Sequence, residues 1–439
     1  MRRKIIGIFT AILIIAGTAN PHAKSFFSLP SQQRVSVGDN ISFQLLFPEQ
    51  ILKQLSIYVE PGANKVLSLN GTDIRGRAFN FLDGWPIAST PGEARIQLRL
   101  FGIFPVKNVK VEVLPQIRLI PGGHSVGVML HAEGVIVVGQ SIVEDPQGEK
   151  RNPAMESGVE VGDVLVKING KTVGNDEMVA RLVDQAGKTG TELKILVKRR
   201  DKYFTATVRP ALCKETNRYR IGLYIRDSAA GVGTLSFYNP QNGKYGALGH
   251  VITDTDTNQP IDVSDGSIVR ASIQGIQAGR KGVPGEKIGM FINDKAFSGS
   301  IQENTRFGIY GKLDTDLKNP LYSKPLPVAL YDQIRPGSAE MLTVLDGEKI
   351  ERFRVHVEKV LYQSVPDSKG LVIKVTDPRL LKRTGGIIQG MSGSPLIQDG
   401  KIIGAVTHVF INDPTRGYGC LIEWMMMESN GSVEQRKAS

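Results

Sequence analysis

The residues that could break a peptide bond lie far apart in this chain. Near the C-terminal end, Gly390-Met391-Ser392-Gly393-Ser394-Pro395 sets a serine between glycines in a turn. A serine hydroxyl is a useful nucleophile only when an imidazole takes its proton and amide donors face the oxygen on which charge develops. Glycines permit that close approach, and in such a turn the amides of Gly390 and Ser392 can share one oxyanion hole. The base is sought among six histidines. His22 falls in an N-terminal leader and His124 and His131 in a separate module. His356 alternates with Phe353, Val355 and Val357, as a solvent-facing strand residue would. His250 closes the run Tyr245-Gly246-Ala247-Leu248-Gly249 upstream of the serine and is the candidate base. For a third, orienting group, Asp254, Asp256, Asp262, Asp265, Asp314, Asp316 and Asp377 are equivalent on the residues alone.

The elements that must position these groups are expected to be strands. The chain has 439 residues, 41% of them hydrophobic and 22% charged, enough for two or three packed domains. Its 48 glycines and 23 prolines point to many turns, hence β-rich domains. The net charge of +11 includes Arg2, Arg3 and Lys4. The remaining surplus suits an anionic membrane surface or a solvated face, and no zinc-finger spacing or arginine-rich block speaks for nucleic acid. No HExxH occurs and the histidines are dispersed, which speaks against a metallopeptidase; no metal and no cofactor are expected. Met-Arg-Arg-Lys, the apolar run Ile5 to Gly17 and the small residues up to Ala23 read as a signal peptide or membrane anchor over residues 1–24, and the chain is expected to be exported. Cys213 and Cys420 give no disulfide framework and no CxxC site, and two buried free thiols are expected.

Residues 25–114 carry short alternating runs such as Ile41-Phe43-Leu45 and Ile96-Leu98-Leu100, separated by turn clusters such as Pro61-Gly62-Ala63-Asn64, and read as a small β-sandwich. Residues 115–212 contain Pro153-Ala154-Met155-Glu156-Ser157-Gly158-Val159, Gly162-Asp163-Val164-Leu165 and Ile168-Asn169-Gly170, followed by a helical face of Met178, Val179, Leu182, Val183 and Ala186. This segment resembles a bacterial PDZ domain. The resemblance implies that the amides of Ser125, Val126, Gly127 and Val128 receive a peptide carboxylate and that the following strand adds the peptide. The alternative is a groove filled by the protein's own neighbouring domain. In residues 213–428, the run from Gly390 through the Asp399-Gly400 hairpin to Gly404-Ala405-Val406 resembles chymotrypsin-like serine peptidases. That implies a double β-barrel with Val406, Thr407 and His408 lining the substrate pocket. Residues 429–439 are expected to be a tail.

Tyr219 to Thr234, Tyr245 to His250 and Gln389 to Pro395 together are similar to the stage IV sporulation protein B family, serine endopeptidases of endospore-forming bacteria. The resemblance implies His250 as base, Ser392 as nucleophile and Asp377 as the acidic member. It also implies secretion from the forespore into the space between its two membranes, self-cleavage, and cutting of an inhibitory membrane protein. That cut would let an intramembrane protease mature a late mother-cell sigma factor. Two other readings compete: an exported PDZ adaptor without activity, and a Ser-Lys peptidase using Lys374 or Lys401.

Overall fold

The computed structural model describes residues 30–41, 49–62, 65–80, 82–292, 297–361, 363 and 365–429. The expected leader over 1–24, residues Phe43 and Leu45, the Ala63-Asn64 part of the turn cluster and nearly all of the tail lie outside the described residues. The chain forms two compact units. One comprises Met1–Arg118 with Pro327–Ile334, the other Leu119–Leu326 with Arg335–Ser439.

In the first unit, strands Gln32–Ser36, Phe104–Leu114, Gly92–Leu100, Leu55–Val59 and Ala78–Asn80 lie side by side in that order, and Thr72–Asp73, Leu67–Leu69 and Ile87–Ala88 form a second sheet. Alternation puts Ile57, Ile96, Leu98 and Val111 into one core with Leu67 and Ala88 of the smaller sheet. This is the expected β-sandwich, with two differences. It runs a few residues beyond 114, and it takes in Pro327–Ile334, where Asp332 accepts from the Arg34 amide at 3.0 Å.

The second unit is built on β1 (Ser125–Gln140), a strand of 16 residues with two jobs. Its second half opens a PDZ domain made with β2 (Val164–Ile168), α1 (Asp176–Thr189), β3 (Leu193–Arg199) and β4 (Lys202–Val208). Asn175 caps α1 by accepting the Met178 amide, and Gly190 ends it in the left-handed conformation. Val179, Val183 and Ala186 of that helix pack on Val135, Val137 and Leu165. The first half of β1 belongs to a barrel. It pairs with β5 (Leu223–Tyr238), which continues through β6 (Lys244–Ala247). On its other edge β1 pairs with β7 (Val263–Gln277), to which β8 (Glu286–Ile292), β9 (Ser298–Thr305) and β10 (Gly308–Leu313) are joined. The ring β1-β7-β9-β10-β6-β5 closes with six antiparallel strands, and β8 flanks β7.

A second closed barrel follows: β11 (Gly337–Val344), β12 (Ile350–Val360), β13 (Leu371–Val375), then helix α2 (Pro378–Thr384), β14 (Pro395–Gln398), β15 (Lys401–Phe410) and β16 (Asp413–Leu421), with α3 (Ile422–Ser429) at the end. Strict alternation on β12 buries Phe353, Val355 and Val357 and exposes His356. The architecture is thus mainly β, with the double barrel expected from the sequence. The boundary expected between 212 and 213 is not a boundary, because β1 serves the PDZ sheet and the first barrel alike. Cys420 is buried, whereas Cys213 is only half-buried; both are free thiols.

Candidate active site

His250 and Ser392 come from different barrels and line one cleft of about 670 Å³, together with His408, Gly390, Val232 and Arg306. His250 follows β6 after Leu248 and Gly249, which both adopt positive φ, a sharp turn that takes the imidazole off the strand end. Ser392 sits in the turn before β14. Gly393 can carry no side chain there, since a Cβ would lie 2.0 Å from the Thr234 carbonyl oxygen. The turn is gripped from the first barrel: the Thr234 amide donates to the Ser392 carbonyl at 3.0 Å and its hydroxyl to the Gly390 carbonyl at 2.7 Å.

The amides of this turn divide into two sets. Those of Met391, Gly393 and Ser394 donate to Ile388, Val406 and Met391 carbonyls. Those of Gly390 and Ser392 have no acceptor among the described residues. A trans peptide points its carbonyl and its amide in opposite directions. The Gln389 carbonyl is held by the Lys287 amide and the Met391 carbonyl by the Ser394 amide, so the next amides, those of Gly390 and Ser392, are turned away from the protein scaffold. These two are the donors the sequence nominated.

No hydrogen bond joins His250 to Ser392 in this resting arrangement. The Ser392 hydroxyl donates to the Thr407 carbonyl at 2.9 Å. His250 Nδ1 lies 2.8 Å from the Val251 carbonyl. A carbonyl only accepts, so the proton of the neutral ring is on Nδ1 and the lone pair on Nε2, the tautomer of a general base. Burial lowers the His250 pKa, opposed by that bond to Val251. The His408 ring lies 5.2 Å away, centroid to centroid, and its pKa is lowered to about 4 by burial first, then by His250 and Lys369.

Asp377 is not brought to the imidazole. Its carboxylate caps α2 by accepting the Arg379 amide at 3.0 Å, takes Arg379 Nη2 at 2.9 Å and accepts the Arg354 amide at 3.2 Å. These bonds, the Arg379 side chain first, lower its pKa to about 2. Of the other aspartates near His250 in sequence, Asp254 and Asp256 pair with Arg226 and Asp262 with Lys198. The Val251 carbonyl holds the ring in the place where an aspartate was expected. Sequence reasoning missed it because a backbone oxygen has no residue signature.

Three further expectations need correction. Val406 and Thr407 are buried at 0% and 3% exposure, and the Thr407 methyl faces Gly249 beside His250 while its hydroxyl donates to the Ser368 carbonyl at 3.4 Å; of that strand His408 alone lines the cleft. The amides of Ser125, Val126, Gly127 and Val128 do not form a carboxylate loop, because Val126–Val128 are paired on both edges, with Gly231–Gly233 of β5 and with Ile268–Arg270 of β7, and Ser125 pairs with Thr234 of β5. The groove between α1 and β1 is instead filled by the chain itself: Leu223–Arg226 pairs with Ile136–Gln140, and Tyr219 packs so closely on α1 that a Cβ on Gly187 would lie 2.0 Å from its ring. Finally, Lys374 is exposed on β13 and Lys401 lies in the β14–β15 hairpin, and neither lines the cleft.

A serine and a base-form imidazole facing one cleft between two six-stranded barrels, with two free amides in the serine's own turn, define a serine endopeptidase. Residues 217–426 match the family model of SpoIVB peptidase S55, and residues 145–199 match a PDZ domain model, so the chain carries a SpoIVB-like serine peptidase region and a PDZ domain. Among solved structures, the PDZ domain of the SdrC-like protein from Listeria monocytogenes is 22% identical over 21% of this chain and 87% of that one, with a TM-score of 0.17. The active form of the Rv3671c protease from M. tuberculosis is 14% identical over 47% of this chain and 74% of that one, with a TM-score of 0.27. No curated protein matches the chain.

Proposed function

We propose that this serine endopeptidase is exported, cleaves itself, and acts in sporulation signalling by cutting an inhibitory membrane protein, which frees an intramembrane protease to mature a late mother-cell sigma factor. The observation that carries the chemistry is the pairing of an Nδ1-protonated His250 with two acceptor-free amides, of Gly390 and Ser392, on one cleft. In the reaction the Ser392 hydroxyl leaves the Thr407 carbonyl and attacks the scissile carbonyl carbon while His250 Nε2 takes its proton. The developing oxyanion accepts from the Gly390 and Ser392 amides. The imidazolium, oriented through Nδ1–H to Val251, returns the proton to the leaving amine. Water then attacks the acyl ester by the same route in reverse.

The pathway rests on likeness to the SpoIVB S55 family over 217–426. Export to the forespore intermembrane space, with or without retention at the membrane surface, rests on the basic and apolar N-terminal run. The substrates are protein chains, this chain included. A partner's peptide tail would enter the PDZ groove by displacing Leu223–Arg226. Mass spectrometry of purified wild-type, Ser392→Ala and His250→Ala protein after incubation tests self-cleavage: defined N-terminal fragments are expected from the wild type alone. Replacing the chromosomal gene with Ser392→Ala should block late mother-cell transcription. Fragments from pure Ser392→Ala protein, or normal sporulation of that strain, would contradict the respective part.

A further inference from the structure

Beneath the nucleophile turn lies a lysine that the mechanism above does not use. Lys287, near the start of β8, is 5% exposed. Its Nζ donates to the Thr343 hydroxyl of the second barrel at 2.8 Å and approaches the Thr234 hydroxyl of the first at 3.4 Å. Among the described residues no carboxylate pairs with it, and burial alone pushes its pKa down to about 7. An unpaired buried cation costs several kcal/mol, an expense the fold would avoid by placing a methionine there.

The rest of Lys287 is committed to the same turn. Its amide donates to the Gln389 carbonyl at 3.0 Å, and its methylenes pack where a side chain on Gly390 would be, 3.1 Å from a Cβ built there. An ammonium has donors only. Thr234 Oγ1 therefore accepts from Lys287 and must spend its own proton on the Gly390 carbonyl, at 2.7 Å. A neutral amine has a lone pair and can accept from either threonine, which loosens that order.

We infer that Lys287 is a positioning residue for the oxyanion turn: its ammonium, held between Thr234 and Thr343, orients the Thr234 hydroxyl onto Gly390 and keeps a positive charge behind the Gly390 and Ser392 amides. This rests on Ser392 as the nucleophile. The groups facing the ammonium from β5 and β11 are the uncharged threonines, and the turn itself has no ionisable side chain. Glu286 on the same strand is solvent-exposed, and His250 and His408 lie across the turn in the cleft. Both histidines titrate below their ordinary values, so a loss of rate on the alkaline side belongs to Lys287.

The test is the rate with which diisopropyl fluorophosphate modifies Ser392, followed by intact mass, because its tetrahedral phosphoryl oxygen uses the same hole. In Lys287→Met, kinact should fall about tenfold near pH 6 with KI unchanged, and the deficit should close above about pH 8, where the wild type has itself lost the charge. The variant should melt no lower than the wild type, since an apolar side chain suits the site. Thr343→Val, which removes one acceptor of the ammonium and keeps the lysine, should move the wild-type alkaline limb to lower pH, and it serves if Lys287→Met does not fold. Equal rates at all pH values, or a deficit independent of pH, would overturn the assignment of Lys287 alone. Modification that persists in Ser392→Ala would instead remove the nucleophile, and the inference with it.

Discussion

At the residue scale, the catalytic couple was readable because its chemistry leaves marks: glycines around Ser392, and a Gly-His at a strand end for His250. What could not be read was how His250 is oriented, since the Val251 carbonyl is backbone. Nor could sequence show that Asp377 serves α2. Two predictions belong here. The base must be neutral to act, and burial disfavours its charged form, so kcat/KM should rise with pH through an apparent pKa below the ordinary 6.5 of histidine. A pH–rate profile with its acid limb at or above that value would contradict the burial argument. Asp377→Ala should cost roughly 1 kcal/mol as a lost helix cap, a fall of about 2–4 °C in Tm, with activity per folded molecule within about threefold. Because Arg379 depresses the carboxyl to about 2, its contribution is present above the ordinary value of 3.8 and is lost as pH falls towards 2. A loss of about a thousandfold or more with Tm unchanged would restore Asp377 as the acid of a triad.

At the scale of elements, periodicity identified strands well and their partners poorly. The alternation on β12 and the apolar face of helix α1 were plain in the sequence. The stretch from Ser125 to Val128 looked like a peptide-binding loop because its glycines and apolar residues fit one. Its actual pairing with β5 and β7 depends on residues about 100 and 140 positions away, a relation that local pattern does not encode. The same holds for β15, where backbone carbonyls of Val406 and Thr407 hold the nucleophile turn and the buried Thr407 methyl faces Gly249 beside His250. Thr407→Phe should therefore overpack the contact with Gly249 between the two barrels and cost roughly 1–3 kcal/mol in denaturant unfolding, with the cleavage preference of the folded fraction unchanged. His408→Ala should change which peptides are cut and leave the unfolding midpoint close to that of the wild type. Swapped outcomes would put Thr407 in the substrate pocket.

At the scale of the molecule, the PDZ and peptidase modules share a strand and form one unit. A fragment beginning at Cys213 lacks β1, which closes the first barrel by pairing with both β5 and β7, and it should fail to fold by circular dichroism and proteolysis, whereas residues 119–439 should unfold in one transition. An independently folded, active fragment from 213 would refute that unity. The order of modules could be read from their motifs, but this sharing could not, because each motif is local and β1 lies outside the family match that begins at 217. The two-barrel arrangement exists to bring residues 142 positions apart to one cleft. The most direct measurement of that claim is peptide mapping after diisopropyl fluorophosphate treatment of the wild type and of His250→Ala: the account predicts one adduct, on Ser392, in the wild type and almost none in the variant, and an adduct on another residue, or equal labelling of Ser392 without the imidazole, would contradict it.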